Sequence, residues 1–194
     1  MTLDIREFHT HFIAIQDVPD HAAWKKYFVD AIDKELSYAT KARSSAIDTW
    51  EVSHNSNTSY YDPYSAIDYD DFTKKVVSPI LSEVFTELDF NPYPTKNIQY
   101  WYNRYDKMGH HALHDHPESD ICLIYLLHLE EENTTVFHNT KYTKRFMKTE
   151  ITTEDLSEGK LIIFPNHLKH EVQWSENKRY TIAGNISLNY DNES

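Results

Sequence analysis

The chain has a single cysteine, only three glycines, and few basic residues for its acid content: 19 Lys and Arg against 31 Asp and Glu. One cysteine excludes an internal disulfide and any cysteine-built metal site, which fits a reducing compartment. Cys122 itself reads as a small buried apolar side chain. A formal net charge of −12 opposes a phosphate backbone, so no nucleic-acid partner is expected. The one basic stretch, Lys141, Lys144, Arg145 and Lys148, reads as a solvated strand face. Hydrophobic runs stay short of the roughly 20 residues that cross a bilayer, and the N-terminus lacks a secretion-signal pattern. The expectation is a soluble, cytoplasmic protein with no membrane partner. Nucleophile elbow, P-loop and dinucleotide fingerprint are all missing, and no telling carboxylate spacing supports a glycosidase.

What the sequence does have is 14% aromatic residues and twelve histidines in 194 residues, enough for one domain, 1–194, with a sizeable core. Residues 1–90 read as mainly helical and 97–190 as mainly strand, with no Gly/Ser or Pro-rich linker between them. One helix is expected from about Asp20, its cap, to Thr40, with Trp24, Phe28, Ile32 and Leu36 on one face. A second, about 67–88, carries Phe72, Val76, Ile80, Val84 and Leu88, and Pro79 interrupts or kinks it. Residues 41–66, rich in Ser, Thr, Asn and Tyr, read as a long loop that serves as a substrate-facing lid. Beyond Asn97, eight short strand candidates (97–105, 110–116, 120–129, 134–138, 142–148, 160–164, 169–174 and 179–188) suggest a double-sheet jelly roll with the helices on the outer face of one sheet. Gly109 and Gly159 precede strands where a turn needs positive φ.

Four histidines, His110, His111, His114 and His116, fall within seven residues. Along a strand, residues i and i+2 share a face, so His114 and His116 present two imidazoles to one point. Imidazole suits Fe(II), Zn, Cu and Ni, and such a pair needs further ligands. The distant candidate is His170, after the buried strand Leu161–Phe164 and its stop at Pro165; His167, in the polar turn, competes with it but reads as exposed. Arg179, Thr181, Ala183 and Asn185 share one face of the last strand, where a guanidinium and a hydroxyl can hold the carboxylate of an acidic cosubstrate. A second His-x-His, Phe8-His9-Thr10-His11-Phe12, reads as a solvent-facing edge strand, and His54, His128 and His138 as isolated polar residues.

Trp101-Tyr102-Asn103 followed by Gly109, His114-Asp115-His116-Pro117 ahead of an apolar strand with Tyr125, and Phe164-Pro165 ahead of His170, with Arg179 and Asn185, form a recognisable pattern. From Asn97 to Asn185 the sequence resembles the Fe(II)- and 2-oxoglutarate-dependent oxygenases, in particular the prolyl-hydroxylase-like group found in bacteria and tailed phages. The resemblance implies a double-stranded β-helix, with His114 and His170 on iron and Arg179 on the distal carboxylate of 2-oxoglutarate. It also implies O2 as a cosubstrate and hydroxylation of a peptide side chain or small metabolite, in a host cytoplasm if phage-encoded, and leaves room for a homodimer. Most such enzymes place a carboxylate where this protein has His116; His116 is taken as the third ligand, since the same group often shows His-x-His. Asp115 lies on the opposite strand face, and Glu118 and Asp120 need a bend in the backbone to reach the metal. Tyr102 or Tyr125 is expected to donate to 2-oxoglutarate. Two alternatives remain: a cupin-type metal enzyme, whose second motif Gly159, Pro165 and His170 match in spacing, and a non-enzymatic jelly-roll structural or carbohydrate-binding module.

Overall fold

The computed structural model describes residues 4–8, 11–42, 53–60, 62, 64–89, 95–130, 135–141, 147–151 and 156–189. In sequence order its elements are β1 (Asp4–Phe8), β2 (His11–Asp17), α1 (His21–Ala42), β3 (Ser53–Thr58), α2 (Asp70–Phe72), a π-helical turn (Thr73–Val77), α3 (Ser78–Glu87), β4 (Thr95–His114), β5 (Ile121–Leu129), β6 (Thr135–Lys141), β7 (Met147–Ile151), β8 (Lys160–Pro165), β9 (Lys169–Val172) and β10 (Arg179–Leu188). The strands form one curled antiparallel sheet in the order β1-β2-β8-β5-β10-β4-β9-β6-β7, with β3 added to β4. This is the jelly-roll class that the spacing of short strands predicts.

Alternation along the central strands separates two apolar layers. Leu123, Tyr125 and Leu127 of β5 and Tyr180, Ile182 and Ile186 of β10 point outward, where Phe28 and Ile32 of α1, Phe72, and Val84 and Phe85 of α3 cover them. Cys122, Ile124 and Leu126 point inward to Ile13, Ile162, Phe164 and Phe137. A strand buried on both faces reads as a continuous apolar run, which is what β5 and β8 show.

Both helices form where the four-residue apolar spacing puts them. At the start of α1, Asp20 has φ +53, and its backbone carbonyl accepts from the Ala23 and Trp24 amides, so the entrance is made by the backbone itself. Pro79 stands in the first turn of α3 and leaves the Lys75 carbonyl without a helical donor; the π turn Thr73–Val77 directly before it absorbs that mismatch.

Three features depart from the sequence reading. The N-terminal half is not purely helical: β2 pairs with β8 inside the sheet, and β3 pairs with β4. Residues 53–58 of the expected lid are therefore ladder, while 43–52 lie outside the described residues, as do His9, Thr10, Lys144 and Arg145. The strand candidates 97–105 and 110–116 are one 20-residue strand, β4, whose positive φ of +62 falls on Met108 and not on Gly109. Pairing carries it through: the Met108 amide donates to the Ser175 carbonyl at 2.7 Å, and β10, β3 and β9 take successive stretches of β4. Gly159 does carry positive φ, +90, and a Cβ there would stand 3.2 Å from the His21 ring.

Next to Gly159, Glu158 ties α1 to the sheet. One carboxylate oxygen takes Lys25 Nζ at 2.6 Å and His21 Nε2 at 3.2 Å; the other takes the Leu129 amide at 2.9 Å and His128 Nδ1 at 3.0 Å. Burial raises its pKa, but hydrogen bonds from Lys25, Leu129, His21 and His128 outweigh it and bring it down to about 2. A carboxylate whose pKa is depressed on folding stabilises above its unfolded pKa and loses that contribution as pH falls through the folded value. Glu158→Gln is expected to cost about 1–2 kcal/mol at pH 7. In acid urea titrations the gap to wild type should close between the ordinary value of 4.5 and about 2. A gap that persists at the acid end assigns the loss to shape and not to charge.

Candidate active site

A bulge aims the histidine cluster. His111 of β4 pairs with Val172 and His114 with His170, so three steps on β4 match two on β9 and the register shifts between them. In a regular strand, residues i and i+3 face opposite ways; the extra residue brings them to one side. His111 and His114 consequently stack at 4.2 Å between ring centroids. β4 ends at His114, and His116 follows two residues on, held by its amide donating to the Asn166 carbonyl at 2.9 Å.

His114, His116 and His170 each offer a ring nitrogen, and these atoms lie within 4.8 Å of one another. His114 Nδ1 donates to the Ala112 carbonyl at 2.8 Å and His170 Nδ1 to the Leu168 carbonyl at 3.2 Å, which fixes the tautomer and turns each Nε2 toward the shared point. Phe137 and Phe164 hold the His170 ring. Burial, with lesser repulsion from the neighbouring imidazole of His114, pushes His116 down to about 4; burial lowers His114 and takes His170 far below its usual value. Burial lowers His111 to about 3. All four are neutral at pH 7, so a cation meets free lone pairs and displaces no protons. Among the described residues no carboxylate joins this group: Glu118 is exposed, and Asp120 accepts from the Leu188 amide at 2.8 Å. His167 is exposed beside Asn166, outside the group.

The histidines share a cavity of about 580 Å3 with Arg179. Arg179 is 4% exposed, hydrogen-bonds the Thr135 hydroxyl through Nη2, and lies over the Tyr105 ring at 5.4 Å. Burial lowers its pKa to about 10, against a smaller raising influence of Tyr105, whose own phenol burial pushes up to about 12. The chemistry of a guanidinium this buried suits a carboxylate. Thr181 lines the same wall and accepts from Asn103 Nδ2 at 3.4 Å.

Strand parity corrects the tyrosines. Tyr102 and Tyr125 belong to the outer layer against the helices, and the Tyr125 hydroxyl meets His21 Nδ1 at 2.6 Å. Trp101, Asn103 and Tyr105 face the cavity instead. Tyr105 was legible in principle, since Arg179 opens the strand that pairs with it: Arg179 lies opposite Tyr105. Asn185 stands on the Arg179 face but does not line the cavity; its amide oxygen accepts from the Cys122 thiol at 3.7 Å. Cys122 is buried, and burial raises its thiol to about 12, which keeps it protonated. No described helix is long and apolar enough to cross a membrane.

Residues 99–185 match the family model described as "Putative 2OG-Fe(II) oxygenase". No curated protein matches significantly. Among solved structures, the fold is similar to a Pseudomonas putida prolyl-4-hydroxylase: TM-score 0.62, 10% identity, 93% of this protein and 94% of that one. It is also similar to a Trichoplax adhaerens prolyl hydroxylase in complex with a peptide fragment of the hypoxia inducible factor oxygen degradation domain: TM-score 0.54, 12% identity, 90% of this protein and 83% of that one. A viral collagen prolyl hydroxylase of Paramecium Bursaria Chlorella virus-1, in complex with 2OG, aligns with TM-score 0.50 and 13% identity over 90% of this protein and 94% of that one. These likenesses establish a shared fold, and the histidine and arginine positions fall inside the matched stretch.

The stacking of His111 on His114 has a measurable consequence. Titration of metal-free protein with Co(II), read by visible absorption, should show one site per molecule that His114→Ala and His170→Ala abolish and His167→Ala leaves intact. His111→Phe, which keeps a ring on His114, should retain the affinity, while His111→Ala should lose about 10-fold, as expected for a group that orients a ligand. Full binding by His170→Ala removes that residue from the site.

Proposed function

We propose that this protein is an Fe(II)- and 2-oxoglutarate-dependent dioxygenase that hydroxylates a side chain of a peptide. The observation that carries the reading is the shared cavity: three neutral imidazoles converge at one end of it, and a buried guanidinium stands on its wall. Three facing imidazole nitrogens with no carboxylate suit a borderline cation such as Fe(II) and leave the remaining positions open. Iron and 2-oxoglutarate, when bound, supply the oxidation, with one oxygen atom of O2 going to succinate and the other to product.

The protein's own residues then have separate tasks. His114, His116 and His170 hold the cation, the first and last with their second nitrogen locked on a backbone carbonyl. Arg179 takes the distal carboxylate of 2-oxoglutarate, with Thr181 on the same wall and the Tyr105 ring against the guanidinium. Since the protein adds no negative charge through its ligands, the cosubstrate dianion balances the metal. Ile124, Phe164 and Ala183 line the same cavity and exclude water from it. A cupin leaves Arg179 without a task, and a binding module leaves three convergent, half-buried to buried histidines without one.

The test is anaerobic addition of Fe(II) and then 2-oxoglutarate to metal-free protein, read by the visible charge-transfer band of the bidentate chelate. The band should require 2-oxoglutarate, and Arg179→Ala should weaken 2-oxoglutarate binding at least about 30-fold, the range for removing one partner of a buried charge pair. Binding unchanged in Arg179→Ala overturns the cosubstrate assignment, and iron bound without any band returns the cupin.

A further inference from the structure

Asp115, expected on the strand face opposite His114 and His116, lines the cavity with them, because β4 ends at His114 and strand alternation no longer applies beyond it; it has no task in holding metal or cosubstrate. It is half-buried, it is the sole carboxylate among the described residues of the cavity wall, and it makes no hydrogen bond or salt bridge with the described residues. Taking a carboxylate partly out of water without a partner is costly, and a bound ligand of opposite charge removes the cost. Its surroundings select the kind of cation. Trp101, 6% exposed, lines the same cavity, with the Tyr60 ring set edge-on against it at 4.8 Å and the His116 ring at 5.9 Å. Aromatic rings and a carboxylate lining one cavity are the chemistry that holds an ammonium or guanidinium and packs its methylene stem.

The guanidinium and the tryptophan also lie apart along the cavity. Arg179 pairs with Tyr105 and Ala183 with Trp101 on β4. Four residues of strand, about 13 Å, therefore separate the guanidinium end from the tryptophan end. Tyr60 is shared with a second depression of about 990 Å3 on the protein surface, whose rim carries Asp62, Asp68 and Asp70 against Lys96. A peptide leaving the cavity past Tyr60 enters acidic ground.

We propose that the substrate is an extended basic peptide that places a lysyl or arginyl side chain in the cavity, its charge on Asp115 and its stem against Trp101 and Tyr60. This rests on the oxygenase reading, which supplies the reaction: a C–H bond on the lysyl or arginyl stem becomes C–OH, O2 provides that oxygen and one carboxylate oxygen of succinate, and 2-oxoglutarate loses CO2.

The experiment has two parts. Heptapeptides that differ only at the centre, with lysine, arginine, norleucine or proline, are titrated by calorimetry into Co(II)-loaded protein at low salt. The lysyl or arginyl peptide should bind at least about 10-fold more tightly than the norleucine peptide, the low end for a charged hydrogen bond. Asp115→Asn should erase that difference while keeping Co(II) affinity. Equal binding of the lysyl, arginyl and norleucine peptides, tighter binding of the prolyl peptide, equal binding of free lysine amide, or loss of Co(II) by Asp115→Asn each overturns the proposal; the last would give Asp115 to the metal. Succinate release and a 16-dalton gain, read with Fe(II), 2-oxoglutarate and O2, should follow the same order of peptides. Because binding is read on the Co(II) protein, a missing charge-transfer band would sink the oxygenase reading alone.

Discussion

The site depends on one strand being paired three ways. β4 gives its first half to β10, its middle to β3 and its end to β9. The ladder to β10 puts Arg179 against Tyr105; the ladder to β9 puts His114 against His170. Backbone hydrogen bonds thus fix the placement of Arg179 relative to His114 and His170 along a single rail, with little reliance on side-chain packing. The rail must bend to pass between walls. Met108 absorbs that bend in left-handed backbone, and the bulge before His114 absorbs the rest. Left-handed backbone at a non-glycine residue costs about 1–2 kcal/mol, an amount the Met108–Ser175 hydrogen bond and the long ladders can carry.

The electrostatics follow from burial and from what the ligand set omits. Four histidines close together would repel strongly if charged, and burial makes the neutral state the resting one. A carboxylate ligand would have lowered the charge of a bound divalent cation; three imidazoles leave it whole. The cavity therefore concentrates positive charge at the metal and at Arg179, and a dianion that reaches both relieves it. The same reasoning gives the fold its outer anchor: Glu158 gathers Lys25, His21 and His128 on the opposite side of the sheet, far from any role in the cavity. That arrangement also explains Tyr125, whose hydroxyl is spent on His21.

Much of this is legible in the sequence. The alternation Arg179, Thr181, Ala183 marks the cavity face of β10, and the separation of His170 from Pro165 by a short turn favours it over His167. The helical stripes of α1 and α3 land on the outer layer. Errors come where one residue changes parity. The neighbourhood of Trp101 suggests Tyr102 for the site, but adjacent strand residues face opposite ways, and Tyr105, two steps beyond Asn103, is the inward one. His111 is invisible to an i, i+2 rule because its facing depends on a bulge, and bulges are set by the partner strand. β3 is hidden for a related reason. Its Ser-His-Asn-Ser-Asn-Thr sequence has no apolar alternation, and it is a strand because β4 offers it an edge.

That last point bears on how selectivity is built. The strand that carries Arg179, β10, is held between two long neighbours, β4 and β5. Ser56, Thr58 and Tyr60, which also line the cavity, lie on or just beyond a polar strand with one partner among the described residues. Changes there disturb a single ladder and leave the Arg179 and His170 registers alone. Tyr60 lines both the cavity and the outer groove. β3 is thus the least interlocked strand of those lining the cavity, while β10, which carries Arg179, is pinned on both edges.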